Sequence, residues 1–526
     1  MKNLKITTAV FMLSGSLLIT SCRSSDNAVD NSGENLITNG SALIKMNLLG
    51  SEYESETIST QASAKHTNSY SVVKEQVSTF MAGEQPVIAT LTPVSAISTQ
   101  ASVNPIAAVV RNPLKGPNVK YRVIAYRTST GAKVATSVYT IDANGNSTAD
   151  NGEMMLDGDN ETVNKYDFVV LSYNSSTAPA DVTGSISTAT LPSISGDNDL
   201  MYFRTNNVRV SKGDNVLNIL LTHKFSQITT VIDASAVAPG TPISSIGSGI
   251  VLDNHRRNGN SIALSTGVVS FGGTPATKSV SFTPPTPTSA IWTSNPTLIA
   301  NPGISATDMS TLIFPDSAAG AITVGTKSKR NFSVNNLVVT PGVKYNLKLK
   351  FACTADATPT WPFNMSDSGS GTRLTRTFNA PAADAGFVFD IYELDNSFNM
   401  TINGVDLATQ EIQFQSSVAN YPQNIRFKSD GSRWGENGVP QIYSLGSSTN
   451  TTPIIRITIG PDGSVSMMGR RTISSGLEPL ELYGGTRFNT VTWKTTGSNT
   501  VDATMLVTGA TVMRGLGVGK KIIACP

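Results

Sequence analysis

The sequence predicts an all-β protein made of β-sandwiches. Short runs of alternating apolar and polar residues recur along most of the chain, and Gly, Pro, Asn and Asp separate them. No run of about twelve residues shows the apolar period of a helix. Charged residues make up 14% of the chain, against roughly 25% in an average globular protein, while Ser, Thr, Asn and Gly are plentiful. This composition is typical of extracellular β-proteins.

Residues 1–21 have the pattern of a bacterial lipoprotein signal peptide. Lys2 and Lys5 form a basic start, residues 9–19 are mostly apolar, and small residues lead to Cys22. This end resembles a lipobox, in which the cysteine thiol is diacylated and its amine becomes the new N-terminus. The alternatives are a plain secretory signal or a short anchor, although the apolar run is too short to span a bilayer. We expect a mature chain that is exported and held at a membrane by lipid on Cys22.

Charge and histidine content exclude several functions. The 39 basic and 37 acidic residues are interleaved and give a net charge of +2, so no basic field exists to hold nucleic acid. The three histidines are His66, His223 and His255, and none has a second histidine or cysteine at metal-ligand spacing. We therefore predict no metal site and no cofactor.

Two cysteines remain once Cys22 carries lipid. Cys353 and Cys525 would lie in an oxidising compartment, where they would form a disulfide that ties the chain's end to its middle. The alternative is a pair of buried free thiols, which behave as small apolar side chains. The sequence leaves both open.

Composition and strand spacing divide the chain into units. We predict a flexible tether at 22–40, a first β-sandwich at 41–233, a second at 234–353, a linker at 354–382 and a C-terminal sandwich at 383–526. Strands of the first unit are predicted at 42–48, 121–127, 134–141, 166–173, 216–221 and 227–233. Those of the second are predicted at 262–271, 279–282, 311–314 and 344–351. Those of the last are predicted at 387–392, 398–402, 411–414, 454–459, 464–468 and 490–494.

Three segments carry a family resemblance. They are Tyr166-Asp167-Phe168 entering a buried strand, Asp199-Leu200-Met201-Tyr202, and a strand that ends in His223-Lys224-Phe225-Ser226. With the later segment Pro341-Gly342-Val343-Lys344-Tyr345, they make residues 40–352 resemble the fimbrillin-like lipoproteins of Bacteroidetes-type bacteria.

The resemblance implies assembly rather than catalysis. Such proteins have two transthyretin-like β-sandwich domains, reach the outer membrane as lipoproteins, and polymerise when a strand passes between neighbouring subunits. Residues 42–48 would be the displaced strand, and Arg111 is a candidate processing site, although most loop arginines are merely solvated. The extra C-terminal unit departs from stalk subunits and favours a tip or accessory subunit, or a stand-alone adhesin. The expected place is the cell surface or fimbrium, and other fimbrial subunits are expected partners.

His223 has a simpler interpretation from its position. A histidine at the end of an apolar strand is most simply a half-buried side chain whose ring nitrogens bond to nearby backbone. No carboxylate neighbours it in sequence, so we predict a structural role rather than a catalytic one.

The C-terminal unit contains the candidate ligand-binding residues. Asp395, Asn396 and Asn403 combine oxygen donors with strands and a turn, loosely similar to lectin-like jelly rolls, and would bond sugar hydroxyls or ligate calcium. Trp434 would be the platform on which a sugar stacks. The alternative interpretation is that these Asp and Asn residues stabilise turns and that the tryptophan fills a core.

Catalysis is not expected. The sequence has no nucleophile elbow, phosphate loop or HExxH motif, although it cannot exclude a carboxylate pair among its 37 acidic residues. Two functions stay open: a fimbrial or adhesin lipoprotein that contacts a glycan or protein receptor, and a surface glycan-binding lipoprotein for nutrient capture.

Overall fold

A computed structural model describes most of the chain. The described residues are 40–54, 73–82, 85–94, 113–114, 116–159, 164–303, 305–315, 321–325, 327–329, 332–415, 422–483 and 487–523. The predicted signal peptide, Cys22, nearly all of the tether, His66, Arg111 and Cys525 lie outside them.

The regular secondary structure of the described residues is almost all β-strand, which confirms the predicted all-β class. The first third contains β1 (Ser41–Glu52), β2 (Gln76–Ala82), β3 (Gln85–Pro93), β4 (Lys120–Arg127), β5 (Lys133–Ile141), β6 (Ser147–Ala149), β7 (Met154–Asp157), β8 (Lys165–Ser172), β9 (Thr190–Ile194), β10 (Met201–Arg209) and β11 (Gly213–His223). The middle contains β12 (Ser226–Asp233), β13 (Ile243–Ile246), β14 (Val251–His255), β15 (Asn260–Ala263), β16 (Val269–Ser270), β17 (Ala276–Ser279), β18 (Ile291–Thr293), β19 (Thr297–Ile299), β20 (Ser310–Phe314), β21 (Ile322–Val324), β22 (Lys327–Lys329), β23 (Phe332–Leu337) and β24 (Lys344–Phe351).

The last third continues in the same way. It contains β25 (Cys353–Asp356), β26 (Trp361–Asp367), β27 (Ser370–Ala380), β28 (Phe387–Leu394), β29 (Ser397–Ile402), β30 (Val405–Asp406), β31 (Ile412–Gln413), β32 (Ile425–Phe427), β33 (Ile455–Ile459), β34 (Val465–Arg470), β35 (Leu477–Leu482), β36 (Asn499–Thr508) and β37 (Thr511–Ile523). Short 3-10 turns occur at Ala306–Asp308 and Ile442–Ser444.

The first sheet folds over on itself to make a sandwich. Its strand order is β6-β5-β4-β8-β10-β11-β1-β7, and β10 joins β11 through only two residue pairs, Met201 with His223 and Tyr202 with Thr222. Side chains from both sides of this junction meet in one core, for example Val123 of β4 and Ile219 of β11. The short junction therefore acts as a corner that sets β11, β1 and β7 against β5, β4 and β8.

The middle of the chain forms a second core that also recruits earlier strands. One sheet has the order β18-β12-β24-β3-β2, and the facing sheet has the order β17-β14-β20-β23. The predicted boundary at 233 therefore does not follow the sheets: β2, β3 and β12 pair with each other or with β24 rather than with the first sheet. Alternation of apolar residues fixes which face of a strand is buried, but not which sheet the strand joins.

The C-terminal unit begins before its predicted boundary. Residues 354–382, predicted as a linker, contain most of β25 and all of β26 and β27, and β27 pairs with β36 along its length. The prediction was wrong because much of this segment is polar, and only a few of its side chains, such as Phe363 and Met365, are buried in the core. Conversely, the predicted strand at 490–494 is a loop whose Val491 and Trp493 are nevertheless buried.

Alternating glycines on the core side of β37 let aromatic rings lie against this strand. A Cβ on Gly515 would meet the ring of Phe363 and lie 2.5 Å from the carbonyl oxygen of Asp390, and a Cβ on Gly517 would meet the ring of Phe387. The glycines therefore belong to the packing of the core.

We expect Gly515→Ala to destabilise the C-terminal unit by about 1–3 kcal/mol, because the ring and the backbone must both shift to admit a methyl group. Thermal unfolding of the purified chain checks this. Gly476→Ala is a control in the same unit, because its Cβ would meet no atom within 4 Å and its φ is not positive. Equal melting temperatures for Gly515→Ala and the wild type would contradict the packing role.

Candidate functional site

The first strand, β1, packs its side chains into the first core without being covered along its whole length. Ala42 and Ile44 are buried, and Met46 and Leu48 pack against the same core from partly buried positions. Lys45 and Asn47 point the other way and pair with Asp214 and Asn218 on the surface. The strand thus has the two-sided pattern that the sequence predicts for residues 42–48.

β1 takes part in one of the two parallel pairings among the described strands, the other being that of β12 with β24. It runs parallel to β11, from Ala42 opposite Gly213 to Glu52 opposite Thr222. On its other edge β7 pairs antiparallel, but only with Ser41–Ile44. Among the described residues, no strand pairs with the rest of that edge. In turn, β1 is the partner of β11 over most of its length, since β10 pairs only with the end of β11.

A β-bulge at Leu49 changes which side chains of β1 face inward. The register with β11 shifts between Leu48 and Gly50, and Gly50 has a positive φ of 112°, which favours glycine. Before the bulge the even-numbered side chains face the core; after it, Ser51 and Tyr53 are buried. Because of this one extra residue, the hydroxyl of Ser51 and the ring of Tyr53 point into the protein interior.

Ser51 and Tyr53 end at a buried histidine. The Nδ1 atom of His223 lies 2.7 Å from Oδ1 of Asp199, and its Nε2 atom lies 3.3 Å from the hydroxyl of Ser51. The Tyr53 ring stacks on the imidazole with a centroid distance of 4.0 Å and an interplanar angle of 4°. Asn174 donates a second hydrogen bond of 2.9 Å to Asp199. In the neutral tautomer that donates Nδ1–H to Asp199, Nε2 accepts the Ser51 hydroxyl proton.

This geometry corrects part of the prediction for His223. The ring is buried rather than half-buried, and its nitrogens bond to side chains rather than to backbone. Sequence reasoning singled out both the Asp199 segment and the His223 segment but did not pair them. The signal that joins them is the antiparallel register in which Met201 lies opposite His223.

Two further contacts secure the end of β1. Lys224 places its ammonium 3.1 Å from the Glu54 carboxylate, and the backbone N–H of Glu54 donates to the Gly342 carbonyl at 2.9 Å. Lys344 lies over the outer face of this cluster, 5.9 Å from the Tyr53 ring centroid. Three of the four segments named in the family resemblance, those of Asp199, His223 and Gly342, therefore meet at residues 51–54, whereas Tyr166 lies near the start of β1.

The Ser51, His223 and Asp199 contacts follow the order of a hydrolase triad, but their environment differs. Ser51 is 2% exposed and lies under its own strand, so a substrate carbonyl has no access to its oxygen while β1 is in place. In this structure these contacts join residues 51 and 53 to β11 and to the segment before β10.

The ligand-binding residues predicted in the C-terminal unit do not converge. Asp395 and Asn396 lie in the turn before β29, whereas Asn403 lies in the turn after it, about 20 Å away along a six-residue strand. Burial raises the pKa of the Asp395 carboxyl, and its hydrogen bond with Thr511 lowers that pKa in part. Asn396 is buried.

Asn403 and Trp434 have structural surroundings. Asn403 has a positive φ of 49°, and its amide donates to the Thr492 carbonyl at 2.7 Å and the Asn499 side chain at 2.8 Å. Trp434 is fully buried, so the predicted sugar platform is corrected to a core side chain. A buried indole offers no face on which a sugar can stack.

Other predicted features are described only in part. Cys353 is disulfide-bonded, and it lies opposite Ile523, two residues before Cys525. Within the described ranges, no cluster of three or more His, Cys, Asp or Glu side chains has an arrangement that would hold a metal ion. None of the helices in that part of the chain has the length and apolar character needed to cross a membrane.

Comparisons with known proteins gave distant structural likenesses. No family model matches the chain, and no curated protein matches it. A candidate cell adhesion protein of Bacteroides uniformis is 14% identical over 45% of this chain and 91% of its own, with a TM-score of 0.31. A candidate cell adhesion protein of Bacteroides fragilis is 11% identical over 59% and 96%, with a TM-score of 0.30. A candidate polysaccharide binding protein of Bacteroides thetaiotaomicron is 11% identical over 41% and 72%, with a TM-score of 0.26.

Proposed function

We propose that this protein is a lipid-anchored, non-enzymatic surface protein that acts in adhesion as a tip or accessory fimbrial subunit, with β1 as its exchangeable strand. The observation that carries the proposal is the position of β1. It inserts parallel to β11, fills one side of the first core, and is paired by β7 over only its first residues.

Removal of β1 would create a binding site for another strand. The backbone of β11 would lose its long partner, and core residues such as Leu217 and Ile219 would be exposed. Unpaired strand edges and exposed apolar grooves bind extended segments through main-chain hydrogen bonds and side-chain pockets. A strand from a neighbouring subunit supplies both.

The pairing of β37, the last strand that the structure describes, supports a tip or accessory role. β37 is paired on one edge with β28 and on the other with β26 and β25. It is therefore held inside its own unit and is not free to enter a neighbour. A subunit whose β37 is held on both edges does not donate this strand to a neighbour, which supports a tip or accessory position.

The proposed role also needs a lipid anchor at the membrane and a surface that contacts a receptor. Cys22 would carry the lipid that holds the chain at the outer membrane, with the protein facing the cell surface, and Arg111 stays a candidate processing site. Cys353 would pair with Cys525, which would fix the end of β37 to β25. The C-terminal unit would contact a glycan or protein receptor on a host, neighbouring cell or matrix.

Immunogold electron microscopy tests this function on intact cells that make the protein. With antibodies against residues 383–526, we expect gold at filament ends, and altered filaments in a strain that lacks the gene. A Cys22→Ala strain is the matched control, because loss of the acylated residue should remove the surface gold while the protein is still made. Gold spread over the cell body with unchanged filaments would contradict the fimbrial role and favour a stand-alone adhesin or a glycan-capture lipoprotein.

A further inference from the structure

We propose that the slot occupied by β1 selects its strand at the end that holds residues 51–53, called the exit end below. There it requires a hydroxyl residue and, two positions later, an aromatic ring. This inference rests on the proposed strand exchange and names the chemistry of the partner. The slot is defined here as the surface of β11, β7 and the His223 cluster that β1 covers.

Along most of its length, the slot requires only that every second residue of the bound strand be apolar. Ala42, Ile44, Met46 and Leu48 project into the core at every second residue, and many apolar strands satisfy such a pattern. Lys45 and Asn47 project to the surface, where their polar pairs contribute little. These positions do not distinguish one apolar strand from another with comparable side chains.

The exit end is different because its walls are polar and fixed. His223 is held by Asp199, which is itself held by Asn174, so the imidazole has a set orientation. Its Nε2 atom points at the residue in position 51, and the flat face of its ring lies under the residue in position 53. A strand without a hydroxyl at position 51 would leave the buried Nε2 atom of His223 without this hydrogen-bond partner, and the strand would bind more weakly.

The second position requires a ring for a separate reason. The Tyr53 ring stacks on His223, and the ammonium of Lys344 lies 5.9 Å from its centroid. An aromatic ring gains from both contacts, whereas an aliphatic side chain of similar size gains only from apolar burial.

The bulge sets the spacing between the apolar residues 42–48 and the selective positions 51 and 53. Without the extra residue at Leu49 and the positive φ at Gly50, positions 51 and 53 would face solvent. The fitting partner is therefore an alternating apolar strand followed by a bulge residue, glycine, serine or threonine, any residue, and an aromatic residue.

Peptide exchange on the full chain tests the inference. A site-specific protease sequence placed between residues 55 and 72 allows β1 to be separated from β2 while all other residues stay in one chain. A fluorescent peptide of residues 40–54 is then bound to the slot, and unlabelled peptides are tested as competitors by anisotropy. We expect Ser51→Ala and Tyr53→Leu peptides each to compete about tenfold less well than the native peptide.

Conservative peptides are the controls. Ser51→Thr keeps the hydroxyl, Tyr53→Phe keeps the ring, and Lys45→Gln changes an exposed pair, so each is expected to compete within about twofold of the native sequence. In a His223→Leu chain, the difference between the native and Ser51→Ala peptides should disappear.

Two results would overturn the inference, and they are distinguishable. If the native peptide binds but Ser51→Ala and Tyr53→Leu compete equally well, strand exchange stands and selection at the exit end is wrong. If neither the native peptide nor any variant binds the cut chain, strand exchange at this slot is wrong and the inference is lost with it.

Discussion

Replacement of Trp434 with alanine is expected to lower the free energy of unfolding of the C-terminal unit by about 3–5 kcal/mol. The indole is fully buried, lies against the rings of Phe414 and Phe427, and donates its N–H to the Arg470 carbonyl at 3.0 Å. It also covers Gly469, where a Cβ would come within 2.7 Å of the indole. Its loss would leave a large cavity and a carbonyl without its donor.

Hydrogen exchange is the suitable measurement, because a chain with several cores need not unfold in one step. Amides of β33 and β34 should lose protection, while those of β4 and β8 should not. Tyr443→Ala is the matched control, since Tyr443 is 49% exposed in the same unit and its loss should change stability by no more than about 0.5 kcal/mol. Unchanged protection in Trp434→Ala, together with loss of glycan binding, would instead support the stacking platform that the sequence suggested.

The strands that sequence reasoning located best are those with strict alternation or continuous burial. The predicted strand at 344–351 has the bounds of β24, and the predicted 121–127 and 166–173 lie within a residue of β4 and β8. These strands could be predicted because one or both faces of each strand are apolar along its whole length. β27 was missed, because most of its residues are Ser, Thr, Arg or Asn and only scattered apolar residues reach the core.

Contacts between residues far apart in the sequence could not be predicted from the sequence. The hydroxyl of Ser51 and the carboxylate of Asp199 are separated by well over a hundred residues, and the bulge at Leu49 decides that Ser51 faces inward. A period-two pattern read through the bulge assigns Ser51 and Tyr53 to the solvent side. Likewise, nothing local distinguishes a tryptophan beside a surface turn from one that enters the core, as Trp434 does.

His223→Ala is expected to weaken the binding of β1 to its slot by about 3 kcal/mol, because it removes a hydrogen-bond donor from the buried Asp199 carboxylate and takes away the ring that stacks on Tyr53. The hydroxyl of Ser51 loses its contact with Nε2 in the same step. By the same free-energy scale, amides of β1 should exchange with solvent at least about a hundredfold faster than in the wild type.

His255→Ala separates this local effect from a general loss of stability. His255 is also fully buried and lies on β14; its Nδ1 atom accepts a hydrogen bond of 3.1 Å from the Ala300 backbone and its Nε2 atom lies 3.3 Å from Asp197, so its partners are outside β1. We expect that variant to weaken protection around β14 and to leave β1 protected. If His223→Ala leaves the exchange of β1 unchanged, then apolar burial and the β11 ladder hold the strand without help from the histidine. An increase confined to β1 means that one buried side chain controls whether the first strand stays in its slot.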